Sequence, residues 1–485
     1  MIKSIPKEVK QVLQALTDAG FEAYIVGGCV RDLSVDRTPK DWDITTNAKP
    51  DQIQEIFPDS FYENNFGTVG VKVLPFLTTD KNDREHDVIE VTTYRIESTY
   101  SDKRRPDEVE FAKTLEEDLS RRDFTMNALS LDINNNLIDP YNGRKDINKK
   151  LIRAVGDAIE RFDEDALRMM RAVRFAAELN FTIEPETFNA IKQKNKLLNH
   201  VSIERIRDEF IKIILSNHPE HGLQMLCDTG LLTHFLPELE LGIGIEQNHH
   251  HTFTVWEHNL KATEKCPSKK LEVRLAALFH DIGKPESKQG KGRECTFYNH
   301  EYISARLTKN IMTRMKFPIK ITEKTVLLVR NHMFYYSVDE VTEASVRRII
   351  KKVGLENMKD LMSVRIGDRL GSGTPKAKPY KLRHFEYMID KVSNDPVNVK
   401  MLKLNGDIMI SDLNFKPGPQ IGAILNVLLA EVIENPTKNT LKILSERALL
   451  LKDEDLNILQ NLAKDKIERK RECDDKRIKD KHYVK

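Results

Sequence analysis

The chain has 485 residues, 77 Lys and Arg against 75 Asp and Glu, with 40% hydrophobic and 31% charged residues. That length is too great for one hydrophobic core and predicts three or four domains of ordinary soluble character. No apolar run approaches the ~18 residues of a membrane span, and a net charge of +2 carries no bulk signature of a nucleic-acid binder.

The opening MIKSIPKEVKQVLQAL lacks a long apolar core and a small-residue cleavage site, so it reads as a first amphipathic helix and not as a signal peptide. The five cysteines (Cys29, Cys227, Cys266, Cys295, Cys473) are odd in number, scattered and without metal-ligand spacing, which fits a reduced, cytoplasmic protein. FEAYIVGG reads as a short buried strand ending in the Gly27-Gly28 pair, and strands are expected again in GTVGVKVLPF and DVIEVTTYR, joined by the polar loop TTDKNDREH. NLIDPYNGRKDI is turn-rich and closes this region. From about residue 155 the period becomes helical: EDALRMMRAVRFAAEL sets Leu167, Met170, Val173 and Ala176/Ala177 on one apolar stripe. Further helices are predicted in VSIERIRDEFIKIIL, EHGLQMLCDTGLL, KKLEVRLAALFHDI and ITEKTVLLVRNHM, with Gly20, Gly230 and Gly354 as stops and SGTPKAKPY as a linker.

The first chemical constellation is Gly27-Gly28-Cys-Val-Arg31-Asp32 followed by Asp41-Trp-Asp43. A glycine pair after a strand lets backbone N–H groups approach phosphate. Carboxylates two residues apart on a strand share a face and suit two Mg²⁺ ions, which activate an attacking hydroxyl and steady a leaving pyrophosphate. Glu90, on the next strand, is either a third metal-directed carboxylate or an ordinary exposed strand residue. In RRDFTMNA, Arg121 and Arg122 suit triphosphate oxygens, and Asp123 and Asn127, four apart on a helix, suit ribose hydroxyls. Asp165 and Arg168, three apart, would offer an acceptor and a donor fork to a base edge, or form a surface ion pair.

GGCVRD with DWDITT resembles the signature of the polymerase-β-like nucleotidyltransferases, in the branch of class II tRNA nucleotidyltransferases and poly(A) polymerases. YSDKRRPDEVEF resembles that family's flexible loop, LSRRDFTMNAL its ribose motif, and Glu164-Asp165-Ala-Leu-Arg168, extended by Arg171 and Arg174, its base-recognition helix. The resemblance implies that Asp165 and Arg168 act as an amino-acid template for CTP and ATP. It implies addition of CMP, CMP and AMP to a tRNA 3′ end, and the loop motif argues against a CC-only enzyme. The alternatives within the class are a poly(A) polymerase and a partial CC- or A-adding enzyme. Outside it stand a phosphohydrolase with an RNA-binding head and a non-catalytic tRNA chaperone, in both of which the head aspartates would be free to decay.

A second constellation lies in the helical part: His258, His280-Asp281, His300, His332 and Asp368. LFHDIGKP resembles the signature of the HD phosphohydrolase superfamily, with His300 and His332 available to a second metal and Lys284 to phosphate. Imidazole with carboxylate suits Mn, Fe, Ni, Zn or Mg alike. His249-His250-His251 reads chiefly as a loop feature. LKLNGDIMISDLNFKPGPQIGAILNVLLAEVIENP resembles the terminal domain of HD-bearing tRNA nucleotidyltransferases, and the basic IERKRECDDKRIKDKHYVK is expected to be a frayed, solvated helix end or a contact for RNA phosphate. The expected architecture is an α+β head with a small mixed sheet, followed by an all-α neck, HD body and tail. The expected spans are 1–150, 151–215, 216–385 and 386–485.

Overall fold

The computed structural model describes residues 5–64, 67–76, 86–97, 109–248, 252–334, 336–338, 340–393, 399 and 402–484. The TTDKNDREH loop apart from His86, the flexible-loop motif apart from residues 109–111, and His249-His250-His251 lie outside the described residues. The chain divides into two compact units, Met1–His332 with Ser363–Thr374, and Met333–Met362 with Pro375–Lys485. No described helix is long and apolar enough to cross a membrane.

The first unit opens with the expected amphipathic helix, Lys7–Asp18, which buries Val9, Val12, Leu13 and Leu16. The strands are β1 (Ala23–Val26), β2 (Asp43–Thr46), β3 (Ser60–Asn64), β4 (Thr68–Val73), β5 (Asp87–Thr93), β6 (Arg95–Glu97), β7 (Val109–Phe111), β8 (Ser130–Leu131) and β9 (Leu137–Ile138). Seven of them form one sheet in the order β3-β4-β5-β2-β1-β8-β9. The β2–β5 pair is parallel and the other neighbours are antiparallel, so the sheet is mixed as expected. Alternation decides the faces: Ile89 and Val91 of β5 are buried while Glu90 between them is exposed. The parallel register sets Glu90 beside Asp43.

After the sheet the unit is helical, apart from a two-stranded parallel pairing of Leu151–Ile152 with Thr182–Ile183. The helices Ile203–Leu215, Pro219–Asp228, Leu271–Phe279 and Ile319–Asn331 fall where the apolar period placed them. The predicted continuous helix over EDALRMMRAVRFAAEL does not form. One helix ends at Glu164, Asp165 adopts an extended conformation (φ −138°, ψ 104°), and a new helix runs Leu167–Leu179. The cause is local: the Asp165 carboxylate accepts from the Leu167 N–H at 3.0 Å, so this short polar side chain starts the second helix instead of continuing the first.

The helix Leu355–Gly371 brings its C-terminal part against Val255–Lys265 at very short range. A Cβ on Gly367 would lie 2.6 Å from the Ala262 carbonyl oxygen and 3.3 Å from the Cys266 Cβ. Only glycine allows this approach, and it carries the adjacent Asp368 to His258.

In the second unit, Leu404, Met409, Ile424, Leu428, Leu444, Ala448 and Leu459 build a core among the helices Pro419–Glu434, Leu441–Leu450 and Leu456–His482. The basic C-terminal stretch is not frayed. Its helix continues to His482 and is tied to the Tyr380–Ser393 helix, where Asp390 takes Lys481 at 2.6 Å and His482 at 2.8 Å, and Tyr387 donates to Asp475. Paired charges along the helix hold an end that composition alone marks as solvated.

Candidate functional site

β1 leads directly into Gly27, whose φ of +81° only glycine adopts without strain. A Cβ there would stand 2.9 Å from Arg122 Nη1 and 3.8 Å from Asp43 Oδ2, so the missing side chain is the space between a guanidinium and a carboxylate. Gly27, Gly28, Asp41, Asp43 and Arg122 line one cavity of about 680 Å³. Asp43 opens β2, whereas Asp41 lies just before it. Their common outlook survives because Trp42 between them is buried and its carbonyl accepts from the Glu90 N–H at 3.1 Å, which extends the ladder backwards. Glu90 stands across from Asp43 but is not among the cavity-lining residues.

The opposite wall comes from the Leu167–Leu179 helix through Arg171, Arg174, Phe175 and Glu178, and from Lys212 and the turn after it. Between the walls runs a chain of polar contacts. Asp32 pairs with Arg31 at 2.8 Å, and Arg31 donates to the Asn127 amide oxygen at 2.8 Å. The Asn127 amide nitrogen donates to Asp123 at 3.0 Å, and Arg171 pairs with the other Asp123 oxygen at 2.6 Å. Burial opposes the Asp123 charge, but Arg171 and the Asn127 hydrogen bond outweigh it and hold the carboxyl down at about 2. Asp123 and Asn127 do not share an α-helix as expected. A short 3₁₀ turn, Thr125–Asn127, brings them together.

Two sequence expectations separate here. Arg122 faces the cavity, but Arg121 does not: it pairs with buried Asp118 at 2.7 Å, and its carbonyl accepts from Arg168 at 3.0 Å. Asp118 also takes Arg122 at 3.2 Å and the Thr45 hydroxyl at 3.2 Å. Burial acts to raise the Asp118 carboxyl, yet the two guanidiniums hold it at about 2. Asp165 and Arg168 do not share a helix face and do not line this cavity. Asp165 pairs with Arg205 at 2.9 Å, and Arg168 with Glu164 at 2.7 Å. Arg174 is buried against Glu209 at 3.0 Å.

The second constellation is assembled completely. His258, His280 and Asp368 form one buried group, and Asp281, His300 and His332 another. Asp281 joins them: its Oδ2 lies 3.2 Å from His258 and 3.3 Å from His280, and its Oδ1 3.1 Å from His300 and 3.6 Å from His332. His280, His300 and His332 each place Nδ1 within 2.8 Å of a backbone carbonyl (Ala277, Phe297, Val329), which fixes a tautomer with its Nε2 lone pair turned to the centre. Buried carboxylates so placed need positive charge. In the chain alone Lys284 supplies some of it, 2.6 Å from Asp281, and its second partner is Gln247, so this lysine sits inside the cluster and not on a phosphate-binding rim. Burial opposes ionisation of Asp281 and Asp368, yet neighbouring cations hold both well below the usual range. His258 is pushed up to about 9, where the two carboxylates outweigh burial, and His332 is pushed down to about 4 by burial. The donor set fits divalent metal. Among the described residues no comparable three-ligand group occurs in the head.

Phe175, Asp118 and Gly367 escaped the sequence reading. Phe175 was detectable, because at i+4 from Arg171 and i−3 from Glu178 it is a large apolar residue on the polar face of its helix.

A carboxylate-bearing mixed sheet beside a glycine turn, followed by helices with an HD-type cluster, defines the poly(A) polymerase-type nucleotidyltransferase class. The poly A polymerase head domain model matches residues 23–153, the model for a probable RNA and SrmB-binding site of polymerase A matches 180–242, and the HD domain model matches 248–370. The CCA-adding enzyme of Lactococcus lactis is 32% identical over 90% of this chain and 96% of its own length. That of Lactobacillus helveticus is 48% identical over 47% of this chain, a match that spans about half of the relative (54%). The crystal structure of the Bacillus stearothermophilus CCA-adding enzyme in complex with CTP aligns with 92% of this chain and 96% of its own, at 28% identity and a TM-score of 0.61. A tRNA nucleotidyltransferase complexed with a primer tRNA and an incoming ATP analog shares the fold at 19% identity and a TM-score of 0.55. The chain belongs to the CCA-adding enzyme family of tRNA nucleotidyltransferases.

Proposed function

We propose that this chain adds CMP, CMP and AMP from CTP and ATP to the 3′ end of tRNA, without a nucleic-acid template. The observation that carries this reading is the convergence of Asp41, Asp43, the Gly27-Gly28 turn, Arg122, Asp123 and Asn127 on one cavity. In the reaction the RNA 3′ oxygen bonds to the α-phosphorus of the nucleoside triphosphate and pyrophosphate leaves. Asp41 and Asp43 would hold Mg²⁺, an ion ordinarily bound by one or two carboxylates together with substrate phosphates, which explains why two aspartates suffice without a closed cage. Such ions, when bound, acidify the attacking hydroxyl and neutralise the leaving group. Glu90 is the residue placed to support Asp43 from the neighbouring strand.

The chain's own groups do the rest. The Gly27-Gly28 backbone and Arg122 receive the triphosphate, with Arg31 and Asp32 behind them. Asp123 and Asn127, locked to each other and to Arg31 and Arg171, present fixed acceptors and donors to the ribose. Asp165 and Arg168 select the base: cytosine and adenine both set an amine beside a ring acceptor. This requires Asp165 to loosen its bond to Arg205 and Arg168 its bond to Glu164. The spans 1–150, 151–215, 216–385 and 386–485 then serve as head, neck, HD body and RNA-binding tail.

A second activity is favoured by the two-sided use of Asp281. His258, His280 and Asp368 on one side and His300 and His332 on the other, with Asp281 between them, would hold divalent metal, which would supply an activated water for hydrolysis of a phosphoester. For the main activity the test is Asp41→Ala and, separately, Asp43→Ala. Each variant should lose incorporation of both CMP and AMP while staying folded, and CMP addition retained in either would contradict the assignment.

A further inference from the structure

We infer that Phe175 is a positioning residue for the incoming nucleotide: its ring is the common seat on which three guanidiniums of the cavity wall are held. The inference rests on reading this cavity as the nucleotide site. Phe175 lines the cavity, is only 3% exposed, and has the guanidinium carbons of Arg174, Arg31 and Arg171 at 4.2, 4.9 and 5.5 Å from its ring centroid. Its position is fixed from behind by Phe124, edge-on at 5.8 Å and 87°. Phe124 directly follows Asp123, so the ring is coupled to the turn that carries Asp123 and Asn127.

Three cations so close together repel one another. Carboxylates offset this one at a time: Asp32 for Arg31, Asp123 for Arg171, Glu209 for Arg174. Each of those carboxylates lies on a different structural element, the Gly28–Ser34 helix, the segment before Thr125–Asn127, and the Ile203–Leu215 helix. All three arginines share the Phe175 ring. Its negative face attracts each guanidinium without consuming N–H donors, so those donors remain for carboxylates, Asn127 and an anionic ligand. A leucine of similar volume would fill the space but leave the three planes without a common reference. The affinity of the site for a polyanion therefore depends on the ring, whereas the chemistry at Asp41 and Asp43 does not.

The test compares wild type with Phe175→Leu, Phe175→Met and the ring-retaining Phe175→Tyr. Melting temperature, binding of inorganic tripolyphosphate and of CTP by calorimetry, and KM and kcat for CTP and ATP are measured on each. The expected result is a loss of about tenfold in tripolyphosphate and CTP affinity and a matching rise in KM for both nucleotides in the Leu and Met variants. Their kcat should stay within about twofold, and Tyr should restore most of the affinity, since only the uniform binding is removed. Unchanged affinity in Leu and Met, a fall in kcat alone, or equal losses in Tyr and Leu would overturn the inference. Failure of both ring-less variants to fold would overturn it too, by showing that the ring serves packing. If wild type binds tripolyphosphate but transfers no nucleotide, the function reading fails and the binding comparison still decides the role of Phe175.

Discussion

Asp118→Asn isolates a single buried charge in the head. The wild-type carboxylate is fully buried and holds Arg121 at 2.7 Å and Arg122 at 3.2 Å, with side-chain exposures of 12% and 18% for the two arginines. Asparagine keeps the shape and removes the charge. Breaking one partner of a fully buried ion pair costs about 3–5 kcal/mol, and the partial exposure of both arginines lowers that to about 2–3 kcal/mol. The carboxyl gives an independent figure: held at about 2 in the folded chain against an ordinary 3.8, it contributes about 2 kcal/mol. The sign follows from the depressed value. The contribution is complete above pH ~4 and is lost as the pH falls through about 2. The assay is urea unfolding followed by tryptophan fluorescence in a Trp256→Phe background, so that buried Trp42 reports on the head alone. At pH 7 the Asn variant should unfold at a lower midpoint, equivalent to about 2 kcal/mol, and the gap should narrow steadily from pH 4 to pH 2.5. An unchanged midpoint at pH 7, or a gap that persists undiminished at pH 2.5, would refute the reasoning. Arg122 would also lose its restraint, so KM for CTP and ATP should rise.

Gly367→Ala puts a methyl group 2.6 Å from the Ala262 carbonyl, an overpacking that costs about 1–3 kcal/mol and moves Asp368 off His258. Divalent metal retained after dialysis, measured by mass spectrometry, should fall, and hydrolysis of a 2′,3′-cyclic phosphate should fall with it, while CMP addition persists. Full metal retention would show that the close helix approach does not set the cluster. Replacing Asp165 and Arg168 together by Ala should erode discrimination against UTP and GTP, at about 1–3 kcal/mol for each group that a wrong base leaves unsatisfied. If single-nucleotide kinetics show all four rates falling together with unchanged ratios, the pair is structural, as its bonds to Arg205 and Glu164 would then suggest.

Much of the molecule was legible because its signals are local. The buried strand before Gly27, the alternation around Glu90 and the apolar stripe of Leu167, Met170 and Val173 each follow from a short period, and each took the expected form. The HD cluster was legible for a different reason: six imidazole or carboxylate groups spread over five separate stretches have little use except together. What could not be read are competitions between near-equal partners. Asp165 can extend a helix or start the next one, and its bond from the Leu167 N–H decided it. Arg121 and Arg122 are adjacent and chemically identical, both pair with buried Asp118, and only the folded backbone leaves Arg122 at the cavity while Arg121 meets Arg168 through its carbonyl. The basic C-terminal helix looked solvated because its anchors, Asp390 and Tyr387, lie on another helix, where Asp390 takes Lys481 and Tyr387 donates to Asp475.

The most direct measurement is extension of a tRNA whose 3′ CCA has been removed, with CTP alone, ATP alone and both together, followed by sequencing of the product ends. The account predicts two C residues with CTP alone, CCA with both nucleotides, and no product in any reaction with Asp43→Ala. A run of A residues with ATP alone, or an end left unextended by the folded wild-type protein, would contradict it.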